Sequence, residues 1–312
     1  MRARGALTAS VAAAALTLVG TDTLRAQSPP PAVTLWNLNA YDILYVLSGG
    51  GDNAVALMRD EGVVLIDPLP AGLGKASLEA IATVSDQPVR TIINLRSDAA
   101  HLKAHLEYPD VTKVVAPKPV ADRAMKLGIF TGGAAKFAPS TLITGTPLLD
   151  GPDVMEVLLL GPGRTDGDAL VLFPQKRLAY TGDLFPKKAV PVVEPAAGGS
   201  LLGLADTLGK VRARVTTARS AIPGRESPRP GEAGAHKPLS VMPISLTSQW
   251  KDVEEYADFV TAFVAAGQAA HAAGRTADQA AAELTLPERF KAYDLTGASR
   301  AMTGLYAELK AR

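Results

Sequence analysis

The sequence contains no cysteine. That excludes disulfides, thiolate metal ligands, cysteine nucleophiles and thiol redox chemistry. The fold must therefore rest on its apolar core, which a chain of 312 residues can supply. A charge excess is also missing: 32 Lys and Arg face 31 Asp and Glu, for a formal net charge of +1. There is no basic field for nucleic acid and no acidic tail, so any partner must be argued from a local site. Beyond the N-terminus, no apolar run is long enough to span a membrane. What is present is 47% hydrophobic and 20% charged, the balance of a globular chain.

Arg2 and Arg4 precede an apolar stretch from Ala6 to Val19, and Leu24-Arg25-Ala26 places a small residue before Gln27. This is the three-part layout of a secretory signal peptide. The rival reading is a membrane anchor, but the stretch is shorter than the ~20 residues a spanning helix needs, and Thr8, Ser10 and Thr17 dilute it. The expectation is a signal peptide over 1–26 and an exported product, periplasmic or secreted, with no stable span after cleavage. Ser28-Pro29-Pro30-Pro31 gives a stiff linker over 27–32.

Strand-like runs follow at 43–47, 54–58 and 63–66, with a Ser48-Gly49-Gly50-Gly51 turn cluster and a hairpin around Asp60-Glu61-Gly62. The pattern then alternates: helix over 73–84, strand over 89–95, helix over 98–107, strand over 113–116, helix over 120–127. The second half repeats the theme, with a strand at 154–160, a hairpin around Pro174-Gln175-Lys176, an amphipathic helix over 201–211 and a short strand at Ala221-Ile222. A meander feeding βαβ units, twice over, predicts an α/β (α+β) protein. Its expected form is an αββα four-layer sandwich of two mixed sheets with helices outside. The segment 227–249 is Pro- and Gly-rich and reads as an exposed loop. From Trp250 to the end, 250–312, the chain is helical, with Thr276 and Gln279 forming a capping-box pattern. These C-terminal helices are expected to pack on the domain spanning 33–226.

Five fragments carry a more specific signal. Leu65-Ile66-Asp67 ends an early strand. Asn94-Leu95-Arg96-Ser97-Asp98-Ala99-Ala100-His101 leads from a buried strand into a helix. Gly161-Pro162-Gly163-Arg164-Thr165-Asp166-Gly167-Asp168, Tyr180-Thr181-Gly182-Asp183-Leu184-Phe185 and Pro223-Gly224-Arg225 follow. In this order and spacing they resemble the metallo-β-lactamase superfamily, whose corresponding motifs are His-x-His-x-Asp-His, Gly-Pro-x-His-Thr-x-Gly-Asp, Thr-Gly-Asp-Leu-Phe and Pro-Gly-His. The resemblance covers roughly 33–226. It implies hydrolysis at one or two zinc ions, with a metal-bound water as nucleophile.

Carried over position by position, most of the ligands are replaced. Arg96, Asp98 and Ala100 stand where the motif has His, His and Asp, and Arg164 and Arg225 stand where it has His. His101 and Asp183 are retained. Guanidinium groups only donate hydrogen bonds and keep their charge, so they cannot ligate a cation. The preferred expectation is a pseudoenzyme with no cofactor, whose pocket of Arg96, Asp98, His101, Arg164, Asp183 and Arg225 binds a small anion or an envelope protein. Within it, three arginines against Asp98 and Asp183 would leave one positive charge in excess. Two rival readings stand beside it. One is a structural salt-bridge network in a dead site. The other is a hydrolase with one zinc, iron or manganese ion on Asp98, His101 and Asp183.

Other candidates have plainer readings. His105 lies four residues after His101, a spacing that can present two ligands on one helix face, but it reads as a surface residue, with Leu102 and Leu106 marking the buried side. His236 and His271 read as solvent-facing, and Lys187-Lys188 as a solvated loop that can extend the positive field. Asp67 and Asp168 are expected to brace loop backbone, and Ser200 to cap a helix.

Overall fold

The computed structural model describes residues 33–38, 43–143, 147–149, 154–225, 240–241 and 247–311. The expected signal peptide and linker, most of the 227–249 loop and His236 lie outside the described residues. Within them, two mixed sheets form. The eight-stranded sheet runs β13 (Ser240–Val241), β1 (Thr34–Asn37), β2 (Leu44–Gly49), β3 (Asp52–Leu57), β4 (Val63–Ile66), β5 (Val89–Ile93), β6 (Lys113–Pro117), β7 (Thr141–Ile143). The six-stranded sheet runs β14 (Ser248–Gln249), β12 (Ser220–Pro223), β11 (Leu178–Gly182), β10 (Leu170–Phe173), β9 (Met155–Leu158), β8 (Pro147–Leu149). Strands β1, β7, β8, β13 and β14 were not expected. They are two to four residues long, too short to show a period of two.

Side chains alternate across each strand, and here both faces are covered. Val46, Val55, Leu57, Val64 and Ile66 of one sheet meet Val157, Val171, Phe173, Leu178 and Tyr180 of the other in the core between the sheets. Their neighbours Leu47, Ala54, Ala56, Val63 and Leu65 point the other way, into a cluster that holds Leu73 and Ile81, which flank and close α1 (Gly74–Ile81). Behind the second sheet, Leu170, Leu172 and Ala179 pack on α4 (Leu201–Arg214), α5 (Trp250–Ala272) and α7 (Ala298–Lys310). The layers are therefore helix, sheet, sheet, helix, as the sequence predicts. The C-terminal helices belong to the outer layer of the second sheet, and residues 31–312 form one compact unit. No helix among the described residues is long and apolar enough to cross a membrane.

Candidate functional site

Four strand ends and one strand start meet at the same edge of the sandwich. β4 leads to Asp67, β5 to Asn94 and Arg96, β11 to Asp183, β12 to Arg225, and β3 begins at Asp52. Local chemistry fixes each turn. Asp67 has φ 50°, a strained conformation for a residue with a β-carbon. It is held because its backbone N–H bonds Ile93, and its carboxylate accepts from the Leu95 N–H at 2.6 Å and the Tyr180 hydroxyl at 3.0 Å. A register shift between β11 and β12 after Tyr180 re-aims the chain toward Asp183. Gly182 has φ 51°, and a β-carbon on Gly224 would lie 2.8 Å from the Gly182 carbonyl oxygen. Only glycines allow these two turns to touch. Asn53 stitches the sheets together: its N–H bonds the Gly224 carbonyl at 2.8 Å and its amide bonds the Pro223 carbonyl at 3.0 Å.

At the centre lies the Arg96 guanidinium, 2% exposed. Its Nη1 donates to Asp52 Oδ1 at 2.7 Å and to His101 Nε2, and its Nη2 donates to Asp183 Oδ1 at 2.6 Å and the Gly224 carbonyl at 3.2 Å. Because Arg96 can only donate, His101 Nε2 must accept. The proton then sits on Nδ1, facing Asp98 Oδ2 at 2.7 Å. Asp98 also caps α2 (Ala99–Ala104), accepting from the N–H groups of Ala100 and His101. Burial pushes the Asp98 carboxyl up, but its bonds to His101 outweigh this and hold it well below the usual carboxylate range.

The other two arginines form an outer rank. Arg225 Nε donates to Asp183 Oδ1 at 2.8 Å and Nη2 to Oδ2 at 3.3 Å. Arg164 Nη1 donates to Asp183 Oδ2 at 3.3 Å, while its Nε and Nη2 both bond Glu194 Oε1. Burial pushes the Asp183 carboxyl up, yet the charges of Arg96, Arg225 and Arg164 prevail and hold it far below its usual range. Asp168 braces the Arg164 loop by accepting from the N–H groups of Arg164 and Thr165 and from the Thr165 hydroxyl at 2.6 Å.

Several expectations need correction. Asp98 does not share the arginines. The second central carboxylate is Asp52, and Glu194 adds a third, so three guanidinium groups face three carboxylates and no positive charge is in excess. His105 is fully buried rather than on the surface. At His105 the helix tightens into a 3₁₀ turn, which swings its ring inward against Phe130 and exposes Leu106 instead. Its Nε2 accepts from the Asn94 amide and its Nδ1 donates to the Phe137 carbonyl, and burial lowers its pKa to about 4. His271 is half-buried, edge-on to Tyr306. Lys188 is turned to Glu255 and the Tyr293 ring, away from the arginines. Ser200 caps α4, accepting from the Gly203 N–H, and donates to Glu308 on α7. Asp67 and Asp168 brace loop backbone as expected.

Sequence reasoning missed Asp52 and Glu194. Asp52 had a weak signal: it is a charged residue opening an apolar strand after a glycine turn. Glu194 had none, since it lies in a loop far along the chain from Arg164.

These residues do not fit a divalent cation. Arg96 stands between His101 and Asp183, so Asp98, His101 and Asp183 do not converge on a shared vacancy. Both Asp183 oxygens accept from guanidinium groups. Among the described residues, no group of three or more His, Asp or Glu side chains is placed to hold a metal.

Beside the cluster lies a cavity of about 300 Å³. Arg164, Asp183 and Arg225 form one end; Phe185, Pro186, Pro191, Val192, Leu204 and Tyr256 form the rest of its wall. The side chains of Arg225 and Arg164 are 38% and 21% exposed.

No family model matches the sequence, and no curated protein does. Solved structures do. A metallo-β-lactamase from Pontibacter korlensis superposes with a TM-score of 0.55 at 17% identity, covering 73% of this chain and 99% of that one. Metallo-β-lactamase IND-7 superposes with a TM-score of 0.53 at 18% identity, covering 75% of this chain and 100% of that one. With the same helix–sheet–sheet–helix layering and nearly the whole of each relative matched, this chain has the metallo-β-lactamase fold.

Proposed function

We propose that this chain is an exported, metal-independent pseudoenzyme that binds a small anion at the cavity end formed by Arg164 and Arg225. The observation that supports the reading is a set of three guanidinium groups on Asp183, at positions where the resemblance implies metal ligands, whose outer members still have donors to spare. A guanidinium has five N–H groups. Arg225 uses Nε and Nη2 on Asp183, and its Nη1 is 3.7 Å from Asp52, beyond hydrogen-bond reach. Fixed donors at a half-exposed edge recognise an oxyanion without any change in net charge elsewhere. Export rests on the sequence of residues 1–26, and the mature chain should begin near Gln27.

The test combines elemental analysis with melting curves. Purified protein should retain well under one equivalent of zinc, iron or manganese after dialysis. Sulfate, phosphate or acetate should raise the melting temperature more than chloride at matched ionic strength, by mass action on the folded state. Sulfate also stabilises proteins generally, so the control is the Arg164→Ala, Arg225→Ala double variant. Equal gains in parent and control would remove the anion reading. Stoichiometric metal that disappears in Asp183→Ala would remove the metal-independent one.

A further inference from the structure

We infer that the anion this cavity takes is a monocarboxylate with an apolar body, its carboxylate on the free N–H groups of Arg225 and Arg164 and its chain along Phe185, Pro191 and Val192. The inference rests on the anion reading above and narrows it to a ligand class.

Three features argue for it. The first is the division of the cavity. Its charged groups are neighbours, all joined through Asp183, and the remaining wall is apolar except for the Gly182 backbone and the Tyr256 hydroxyl. Two of the wall residues, Pro186 and Pro191, have no backbone N–H to offer a polar ligand. Val192 is 54% exposed at this wall, and its apolar surface is left to water unless a ligand covers it.

The second is donor geometry. After its bonds to Asp183, Arg225 keeps both Nη1 hydrogens and one on Nη2. Arg164 commits Nε and Nη2 to Glu194 and Nη1 to Asp183, which leaves one hydrogen on each of its Nη atoms. Two planar forks with paired free hydrogens match the two oxygens of a carboxylate.

The third is charge. Arg96, Arg164 and Arg225 are already matched by Asp52, Asp183 and Glu194. One further negative charge is held by donors alone, and each additional one meets the buried carboxylate of Asp183 without a free cation to offset it. That favours a monoanion over a phosphate dianion. At about 300 Å³ the cavity is at the small end of ligand pockets, which run ~300–1,000 Å³, so the apolar body is a short chain or a single ring.

The experiment is titration calorimetry on the mature protein with octanoate, octanol, acetate and sulfate. Octanoate should bind one site at least about tenfold more tightly than acetate or sulfate, because only its chain reaches the apolar wall. Octanol should bind at least about tenfold more weakly than octanoate. Val192→Asn, at an exposed position outside the ion pairs, should weaken octanoate several-fold and leave acetate unchanged. Arg225→Gln should weaken both. If acetate and sulfate bind as well as octanoate, the apolar-body inference is wrong and the anion reading stands. Octanol matching octanoate would overturn the carboxylate assignment. If no anion binds at all, both readings fall together.

Discussion

Arg96 donates to Asp183 across 2.6 Å, tying the end of a strand in one sheet to the end of a strand in the other. The same guanidinium reaches Asp52 and His101, so one buried cation holds groups from a strand start, a helix and a strand end. The edge of the sandwich is thereby tied together by side chains of both sheets.

Removing that cation should be costly. Arg96→Ala leaves the buried Asp52 without a hydrogen-bonded cation and Asp183 with only Arg164 and Arg225, which is worth about 3–5 kcal/mol of stability. The cavity it leaves is lined by the same acceptors, so millimolar guanidinium ion, far below denaturing levels, should raise the melting temperature of the variant but not of the parent. Urea melts and thermal scans read both effects. A variant as stable as the parent would mean that Arg96 is not the keystone.

His105 makes a prediction about acid. Its folded-state pKa is about 4 against an ordinary value of 6.5, so between those values the unfolded chain binds the proton more readily. Its contribution is fully present above pH 6.5 and is lost as pH falls toward 4. Asp168 acts in the opposite sense, since burial and then Asp183 push its carboxyl up to about 7. The difference between parent and His105→Gln isolates the histidine. The parent's advantage should shrink by at most about 3 kcal/mol across that window. A pH-independent difference would assign His105 a packing role alone.

The layers and most strands were legible because both sheets bury alternating apolar residues and the glycine turns punctuate them. The short edge strands were not, for want of residues to show a period. The arginines could be placed because each lies in one of the five motif fragments, Arg96 and Arg225 just after strands and Arg164 in the loop between β9 and β10. Their partners could not: Glu194 and Arg164 are joined by a loop conformation, and Asp52 and Arg96 meet through strands two apart in one sheet, 44 residues apart in sequence. His105 misled because helical spacing was extended past the point where the helix tightens. Ion-pair balance is therefore a property of loops brought together in space, and it escaped a reading made from strands and helices.

Glu194 provides a test of that balance. Its carboxylate occupies two donors of Arg164 while 34% exposed. Glu194→Gln should leave stability within about 1 kcal/mol, as expected for a pair this accessible to water. It should also strengthen binding of added carboxylates several-fold, because it removes a competing charge. Calorimetry on the variant reads the change directly. Unchanged or weaker binding would show that Arg164 does not contribute to the anion site.

The strongest test of the motif resemblance at the site is to rebuild the ligand set that it implies. Arg96, Asp98, Arg164 and Arg225 changed to His, with Ala100 changed to Asp, supply every ligand that the resemblance assigns to these positions, and His101 and Asp183 are already present. The turns that carry them meet at Asp183 now. Losing the Asp98 cap of α2 costs about 1 kcal/mol, and an Asp at position 100, in the first turn of that helix, offsets part of it. Larger losses come from the broken ion pairs, so the apo variant should melt well below the parent and recover on adding zinc. Elemental analysis should find at least one equivalent of zinc retained after dialysis, against almost none in the parent. A folded variant that takes up no zinc would mean that these loops do not present their backbones as the resemblance implies, and that the correspondence drawn from the five motifs holds for the strands but not for the site.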